Sequence, residues 1–308
     1  MNPHIVVIGS LNADLVINLS RFPVPGETIV GRDFKVFAGG KGANQAYGAA
    51  RLGARVSMLG QVGNDSQADF LTRNLASVGV DVAQVRRDPD VSSGVAAITI
   101  NAEGQNQIVI VPGANGTFGP DRLSRGQDLI ASAGILLLQL EIPLATVELA
   151  ARLASNSGAI VMLDPAPAQK LSDYLLSCVD YLTPNETELA ILTGTASHAI
   201  TRAHASQKAA ELRNRGAKKV IVKMGAQGAL LQTAHHEHFW PGLPVKPVDT
   251  TAAGDAFNAA FAFALASGQS EYEAGRFATA AAACSVTRPG AQPSMPTLAE
   301  VEKLLAGR

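Results

Sequence analysis

The chain alternates short apolar runs with longer segments whose apolar residues recur at helical spacing. Runs typical of buried strands lie at 5–9, 55–60, 134–140, 159–164 and 219–225. The helix-like segments lie near 43–52, 66–78, 144–155, 203–215, 254–266, 271–283 and 297–306. Continuous apolar strands separated by helices are typical of a parallel sheet covered on both faces. The pattern therefore predicts an α/β fold with a doubly wound, mainly parallel sheet.

Two segments break this alternation and show strand patterning with turn signals. They span 13–37 and 93–111, and their turns include Pro25-Gly26 and Glu103-Gly104. We interpret them as a small inserted β-sheet, here called the lid. Insertions at the strand-end face of an open α/β sheet commonly frame ligands, although two hairpins without a function are the alternative. The α/β core would then comprise 1–12, 38–92 and 112–308.

Composition indicates a folded protein and gives no sign of a polyanionic partner. Hydrophobic residues make up 47% of the 308 residues, charged residues 17%, and the net charge is −1. The chain has no excess of basic residues that would indicate binding to nucleic acid or to an anionic membrane.

The cysteines and the apolar runs bear on the location of the protein. Cys178 and Cys284 are far apart in sequence, and two free thiols fit a reducing compartment. The apolar stretch 134–154 contains Gln139, Glu141 and Pro143, so it reads as strand, turn and helix. With no targeting segment in view, we expect a cytoplasmic protein.

Several common motifs are missing. Gly40-Lys41 is followed by Gly42, which excludes a P-loop, and no strand leads into GxGxxG. The protein-kinase HRD and DFG elements and GxSxG are also missing. His235, His236 and His238 lie between strand-like 228–233 and 238–240, and we interpret them as part of an exposed turn. A metal site is the weaker alternative, because no cysteine or second histidine pair supports it.

The most informative stretch is 249–255, DTTAAGD, which leads into the apolar run AFNAAFAFALASG. The small residues Ala252, Ala253 and Gly254 leave backbone N–H groups uncovered at a predicted helix start, where the helix dipole attracts anions. Asp255 lies in the first turn, where we expect the helix field to lower its pKa. A carboxylate beside an anion hole suits phosphoryl transfer to a hydroxyl. The alternative is that Asp255 only stabilises the start of the helix and has no catalytic role.

Three further patches place polar groups at expected strand ends or helix starts. Asn12 and Asp14 follow the first strand, and they offer donors and acceptors to paired hydroxyls or serve a turn. In 39–46, GGKGANQA, the glycines allow close backbone approach to a ligand, and Lys41 and Asn44 share a helical face. An ordinary glycine turn is the alternative there. Glu141 ends an apolar strand. Its carboxylate either accepts a hydrogen bond from a sugar hydroxyl or is simply exposed to solvent.

Together these patches resemble the PfkB family of sugar and nucleoside kinases, along essentially the whole chain. The GG-K-G-x-N and A-A-G-D strings are specific to that family as a pair. The matching strings, in family order, are GSLNAD (9–14), PGET (25–28), GGKGANQA (39–46), QLE (139–141), DPAPA (164–168, similar to NPxPA), TPNETE (183–188), VDTTAAGDAFNAA (248–260) and VTRPGAQPSMP (286–296).

The resemblance implies a role for each motif residue. The sugar-binding set would be Asn12, Asp14, Gly40, Lys41, Asn44, Glu141 and Asp255, with Asp255 as the base and Ala252, Ala253 and Gly254 as the anion hole. Asn185 and Glu188 would position phosphate and Mg²⁺. The nucleotide set would add Lys223, Met224, Gly225, Ala226, Gln227, Gly228, Gly254 and Thr279. The ligands of an activating K⁺ would be Asp249, Thr251, Ser285, Arg288, Gly290 and Ser294, several through backbone carbonyls.

The implied activity is transfer of the ATP γ-phosphate to an alcohol. Within the family, GSLNAD, GGKGANQ and TRPGAQPS most resemble the members that phosphorylate D-ribose at O5. Kinases for 2-deoxyribose, fructose or a nucleoside are alternatives, and a non-catalytic sugar-binding module is a weaker one. The resemblance also implies a homodimer formed through the lid. Two positions depart from the family pattern, namely Lys223, often Thr or Ser, and Thr279, often His or Asn.

Overall fold

The computed structural model describes residues 4–195 and 200–307, and only the backbone of residues 124 and 125. The strands are, in chain order, β1 (Ile5–Ile8), β2 (Asn12–Asn18), β3 (Asp33–Gly39), β4 (Val56–Gly63), β5 (Asp81–Asp88), β6 (Gly94–Ile100), β7 (Asn106–Val111), β8 (Ile135–Leu138), β9 (Ile160–Leu163), β10 (Tyr181–Leu182), β11 (Lys219–Lys223), β12 (Gly228–Gln232) and β13 (Glu237–Pro241). The helices are α1 (Lys41–Arg51), α2 (Ser66–Ser77), α3 (Gln127–Ala131), α4 (Leu144–Asn156), α5 (Asp173–Ser177), α6 (Glu186–Leu192), α7 (Arg202–Asn214), α8 (Ala253–Ala266), α9 (Glu271–Ser285) and α10 (Leu298–Ala306).

A nine-stranded sheet forms the centre of the molecule, in the order β13-β12-β11-β10-β9-β8-β1-β4-β5. The strands from β11 to β5 pair in parallel, and β12 and β13 add an antiparallel hairpin at one edge. The side chains of β1 alternate between two apolar layers, with Ile5 and Val7 in one and Val6 and Ile8 in the other. Helices α1, α2, α8, α9 and α10 supply the first layer, and α3 to α7 supply the second. The predicted doubly wound fold is confirmed.

The lid is a separate four-stranded sheet in the order β3-β2-β6-β7. β2 and β6 pair in parallel, whereas the two outer pairs are antiparallel. The inserted small sheet predicted from 13–37 and 93–111 is thus present. Unlike the core strands, the edge strand β7 is exposed along its whole length, and Val109 is 64% exposed. The division of the chain into a core and a lid domain at the stated boundaries stays a prediction.

Two strands of the large sheet were not predicted from the apolar pattern of the sequence. β5 has the sequence DVAQVRRD, whose polar residues mask a strand at the sheet edge, and β10 contains only Tyr181 and Leu182. His235 and His236 lie in the turn between β12 and β13, as predicted, but His238 belongs to β13, so the prediction of a turn is wrong at that position. Over the described residues, no group of three or more His, Cys, Asp or Glu side chains is placed to hold a metal ion. Nor is any helix in that part of the chain long and apolar enough to cross a membrane.

Glycines let the start of α1 pack directly against the segment that follows β1. Gly40 has a φ of 89°, and a Cβ there would lie 2.7 Å from the backbone nitrogen of Asn12. A Cβ on Gly42 would lie 2.7 Å from the carbonyl carbon of Gly9. At Gly40 and Gly42 the space that a Cβ would take is filled by protein backbone, which explains the need for glycine there. This contact fixes the start of α1 at the carboxyl end of β1. The close approach of a ligand to this loop stays a prediction.

Candidate active site

The start of α8 has the geometry of an anion-binding turn. Ala252 caps the helix with a φ of 58°, in the left-handed region, and no side chain caps the helix. The Ala253 N–H makes only a long turn bond, 3.3 Å, to the Thr250 carbonyl. A helix start without a side-chain cap carries partial positive charge on its N–H groups, which favours anions. The predicted anion hole at Ala252, Ala253 and Gly254 thus lies at the N-terminus of a 14-residue helix.

Asp255 lies in the first turn of α8 and is only 3% exposed. Asn44 Nδ2 donates to its Oδ2 at 3.0 Å, and Gln45 Nε2 donates to its Oδ1 at 3.0 Å. Both donors belong to α1, so the predicted residues Asn44 and Asp255 meet across 211 residues of sequence. The contact orients both carboxylate oxygens.

The expected lowering of the pKa of Asp255 is wrong. Burial raises the pKa, and the neighbouring carboxylate of Asp164 raises it further. Lys41 and the amides of Asn44 and Gln45 act in the opposite direction without cancelling the shift. Desolvation disfavours the charged form, and here it outweighs the favourable charge and hydrogen bonds. The sequence revealed the helix start but gave no sign of the depth of burial.

Lys41 and Glu141 meet at the first turn of α1. The Lys41 backbone N–H donates to Glu141 Oε2 at 3.1 Å, and Ser10 Oγ donates to the same oxygen. Burial alone would lower the pKa of Lys41, but Asp255, Asp164, Glu141 and Glu188 raise it above its usual value. Lys41 therefore stays an ammonium among carboxylates.

Asn12 and Asp14 begin β2, near Gly39 of β3. Asn12 Oδ1 accepts a hydrogen bond from Asn115 Nδ2 at 2.7 Å, so it is already engaged by the protein. Asp14 lies over Gly39, because a Cβ on that glycine would meet the carboxylate. Burial, Glu141 and Asp255 raise the pKa of Asp14 to about 7. The binding roles of Asn12 and Asp14 stay predictions.

The predicted nucleotide residues other than Met224 and Gln227 line one cavity of about 640 Å³ together with Lys41 and Asp255. Those that border it are Asn185, Glu188, Lys223, Gly225, Ala226, Gly228, Ala252, Ala253, Gly254 and Thr279. Met224 and Gln227 belong to the same loop, where Met224 is buried and Gln227 ends a 3₁₀ turn. Thr279 Oγ1 donates to the Gly275 carbonyl within α9 at 2.8 Å. Of the predicted sugar residues, Lys41 and Asp255 border this cavity, whereas Asn12, Asp14, Gly40, Asn44 and Glu141 are not among its lining residues.

Asn185 and Glu188 form a capping box at the start of α6. Glu188 Oε2 accepts from the Asn185 backbone N–H at 2.8 Å, and Asn185 Oδ1 accepts from the Glu188 N–H at 2.8 Å. Burial and the Asp164 charge raise the pKa of Glu188, against the effect of Lys223 and Lys41. Mg²⁺ is commonly held by one or two carboxylates plus water and substrate phosphates. Glu188 borders the cavity together with Glu186 and Asp255, and a site of one or two such carboxylates fits that pattern.

The predicted K⁺ residues fall into two groups. Asp249 Oδ1 accepts from the Thr251 N–H at 2.9 Å, and Asp249 Oδ2 accepts from the Gly290 N–H at 2.8 Å. These contacts hold the turn before α8 against the loop after α9. The hydroxyls of Ser285 and Ser294 donate to carbonyls of their own segments, and Arg288 pairs with Glu300 at 2.8 Å. Asp249, Thr251 and Gly290 are thus brought together by hydrogen bonds, and the ligand roles stay predictions.

Three polar residues in the site were not predicted. Gln45 bonds Asp255, Asp164 follows β9 directly, and Gln292 Nε2 donates to Asn44 Oδ1 at 3.2 Å. Asp164 was visible as a polar residue at the carboxyl end of an apolar strand. The two amides lie next to predicted segments, but neutral amides carry no distinctive pattern of their own.

Comparison with known proteins identifies the family. Residues 2–298 match the family described as pfkB family carbohydrate kinase, and the chain belongs to that family. A ribokinase of Haemophilus influenzae is 42% identical over 306 residues, covering 99% of each chain. A deoxyribokinase of Salmonella typhi is 41% identical over 304 residues, covering 98% of each chain. The solved structure of Arabidopsis thaliana ribokinase complexed with ribose and ATP is 38% identical, with a TM-score of 0.94 over 99% of each chain.

Proposed function

We propose that this protein transfers the γ-phosphate of ATP to the O5 hydroxyl of D-ribose. The observation that carries the proposal is the placement of Asp255. Its carboxylate lies in the first turn of α8, is fixed by two amides of α1, and borders the cavity that Lys41 and Lys223 also line. The similarity to ribokinases over 99% of the chain supports ribose as the acceptor.

In this reaction Asp255 orients the hydroxyl and accepts its proton. A loose phosphoryl-transfer transition state needs little proton removal before the phosphoryl group has largely departed. The raised pKa of Asp255 makes it a stronger base than an exposed aspartate, which favours this late proton transfer. The N–H groups at residues 252–254 face the charge that develops on the transferring group, and each such donor is typically worth about 3–4 kcal/mol.

Two metal ions belong to the proposal. Glu188 and Asn185 would hold Mg²⁺ and phosphate, and Mg²⁺ would supply charge neutralisation when bound. The segments around Asp249 and Gly290 would hold K⁺. Since Asp249 precedes the anion-binding turn and also bonds the Gly290 N–H, a cation there would stiffen the start of α8.

The test is a coupled assay of ATP consumption over ribose, 2-deoxyribose, fructose and adenosine. Ribose should give the largest kcat/KM. A largest value with 2-deoxyribose would favour the second candidate, which the 41% identity to a deoxyribokinase supports. Fructose or adenosine as the best substrate would contradict both candidate functions, the phosphorylation of ribose and that of 2-deoxyribose.

We also propose that the protein forms a homodimer through the lid and acts in the cytoplasm. The lid exposes apolar side chains that a soluble monomer would leave in water, namely Phe34, Val36, Ile108, Val109, Ile110 and Val111. The variant Ile108→Asp/Ile110→Asp should sediment as a monomer, because charges would be desolvated in the contact. A wild-type protein that is monomeric at micromolar concentration would contradict the dimer.

A further inference from the structure

Asp164 and Lys223 form a buried ion pair across the carboxyl edge of the sheet. Lys223 ends β11 and Asp164 follows β9, with β10 between these strands. Lys223 Nζ lies 2.9 Å from Asp164 Oδ1, and the two side chains are 13% and 2% exposed. Such a pair adds little net stability, because desolvation offsets the attraction. Because Lys223 also lines the cavity, we looked for a function of the pair.

The Lys223 ammonium borders the anion-binding turn. A Cβ placed on Gly254 would lie 3.2 Å from Lys223 Nζ, and both residues line the same cavity. An ammonium has three N–H donors, and the bond to Asp164 uses one of them. An anion held by the first turn of α8 would thus lie within reach of a fixed positive charge.

Asp164 also connects Lys223 to Asp255. Its second oxygen accepts from Gln45 Nε2 at 3.2 Å, and the same Nε2 donates to Asp255 Oδ1 at 3.0 Å. Gln45 is itself held by Gln139, whose Nε2 donates to Gln45 Oε1 at 2.7 Å. The buried amide of Gln45 therefore links Asp164, which holds Lys223 beside the proposed phosphate position, to Asp255, which faces the proposed hydroxyl.

We infer that Lys223 is a catalytic cation that contacts the phosphoryl group in transfer, and that Asp164 is the residue that positions it. The inference rests on the kinase reaction proposed above. In that reaction the sugar oxygen bonds to the γ-phosphorus, and the bond from this phosphorus to ADP breaks with its electron pair leaving on ADP. The hydroxyl proton goes to Asp255. Lys223 keeps its protons and neutralises charge on the transferring group.

The experiment compares Lys223→Met, Asp164→Asn and the double variant in the full-length protein, at saturating ribose and ATP. Methionine keeps the length of the side chain but removes its charge and its donors. Lys223→Met should lower kcat by about 100-fold, the size expected for one donor to the transition-state charge, while the KM for ribose stays nearly constant. Asp164→Asn should lower kcat by about 10-fold, and adding it to Lys223→Met should change kcat by less than about 3-fold, because the two act as a unit. Lys223→Arg, which keeps the charge, should recover part of the loss.

The matched control is Lys218→Met. It breaks the 2.8 Å ion pair between Lys218 and Asp180, and Lys218 is not among the residues that line the cavity. This variant should keep wild-type kcat. A structural pair predicts the reverse pattern, in which each single variant lowers Tm and the double variant restores both Tm and kcat. That pattern, or a wild-type kcat in Lys223→Met, would overturn the inference. If Asp164→Asn fails to fold, the comparison of Met with Arg at 223 still decides.

The same series separates this inference from the proposed substrate. If the wild-type protein prefers another sugar of the panel, the ribose assignment fails and the variants are measured with that sugar. A large loss of kcat in Lys223→Met with the preferred sugar then still supports the catalytic cation.

Discussion

The two halves of the proposed site are built differently. In the half proposed for the sugar, α1 donates hydrogen bonds to acidic residues, from the side chains of Asn44 and Gln45 to Asp255 and from the backbone N–H of Lys41 to Glu141. In the half proposed for the nucleotide, the cavity lining is largely glycine and small apolar residues, with Lys223 and Glu188 among the charged groups. Preorganised side chains favour a single geometry of a small acceptor. A lining of backbone and apolar groups instead selects by shape.

The largest expected effect comes from Asp255, where the two halves meet. Asp255→Asn should lower kcat by about 100-fold or more, because the acceptor for the hydroxyl proton is lost. The KM values for ribose and ATP should change little, since an amide keeps one oxygen and the size of the side chain. Steady-state kinetics with both substrates measure this. A near-normal kcat would show that Asp255 is not the base.

A smaller effect, confined to the sugar side, is expected at Glu141. Glu141→Gln removes a charged acceptor, which is worth about 10-fold or more in affinity, so the KM for ribose should rise while the KM for ATP stays constant. The control is Glu148→Gln on α4, a glutamate that likewise accepts from a serine hydroxyl, Ser172 Oγ at 2.8 Å. An equal rise in both KM values would contradict the division into two halves.

Asp14 should make the sugar side sensitive to pH. Its folded pKa is raised to about 7, so the native state keeps a proton that the unfolded state releases near pH 4. The unfolded state then binds fewer protons, and the contribution of Asp14 to stability declines as pH rises from about 4 to about 7. Asp14→Asn removes this term.

The measurement is Tm against pH for the wild type and Asp14→Asn without ligand. The advantage of Asp14→Asn should grow as pH rises towards about 7 and then level off. Ribose binding should strengthen over the same range if the ionised carboxylate accepts the sugar hydroxyls, and the Asn variant should lack this dependence. Parallel curves for both proteins would show that Asp14 does not titrate there.

The smallest effect is expected from the monovalent cation. A cation between the loop of Gly290 and the turn of Asp249 acts on the anion-binding turn only through its position. Replacing potassium with tetramethylammonium at constant ionic strength should lower kcat several-fold, well below the roughly 100-fold loss of an anion-hole donor. Equal rates in the two salts would exclude activation by a cation.

The sequence predicted the fold better than the electrostatics of the site. Apolar runs such as 5–9 and 159–164 predicted the buried strands, because a parallel sheet covered on both faces needs them. β5 escaped because an edge strand tolerates polar residues. In the site, the motifs indicated Asn44 and Asp255 but not the hydrogen bond from Gln45 to Asp255.

The pKa of Asp255 and the pairing of Asp164 with Lys223 depend on distances between segments far apart in sequence. The two paired residues are separated by 59 positions, and no local pattern encodes such a contact. Burial of the first turn of α8 likewise depends on how α1 packs against it. Sequence motifs thus identified participants, while the balance of charge and burial required the fold.

The left-handed backbone at Ala252 has a consequence for how the anion-binding turn is maintained. A non-glycine residue in this region costs on the order of 1–3 kcal/mol, and glycine would adopt the same shape without that cost. Glycine, however, would also open many other shapes to the loop. With alanine, the backbone has few alternatives once the surrounding contacts impose this one. The N–H groups are therefore aligned before any phosphate arrives. The loop loses its conformational entropy when the protein folds, and not again each time that a phosphate binds.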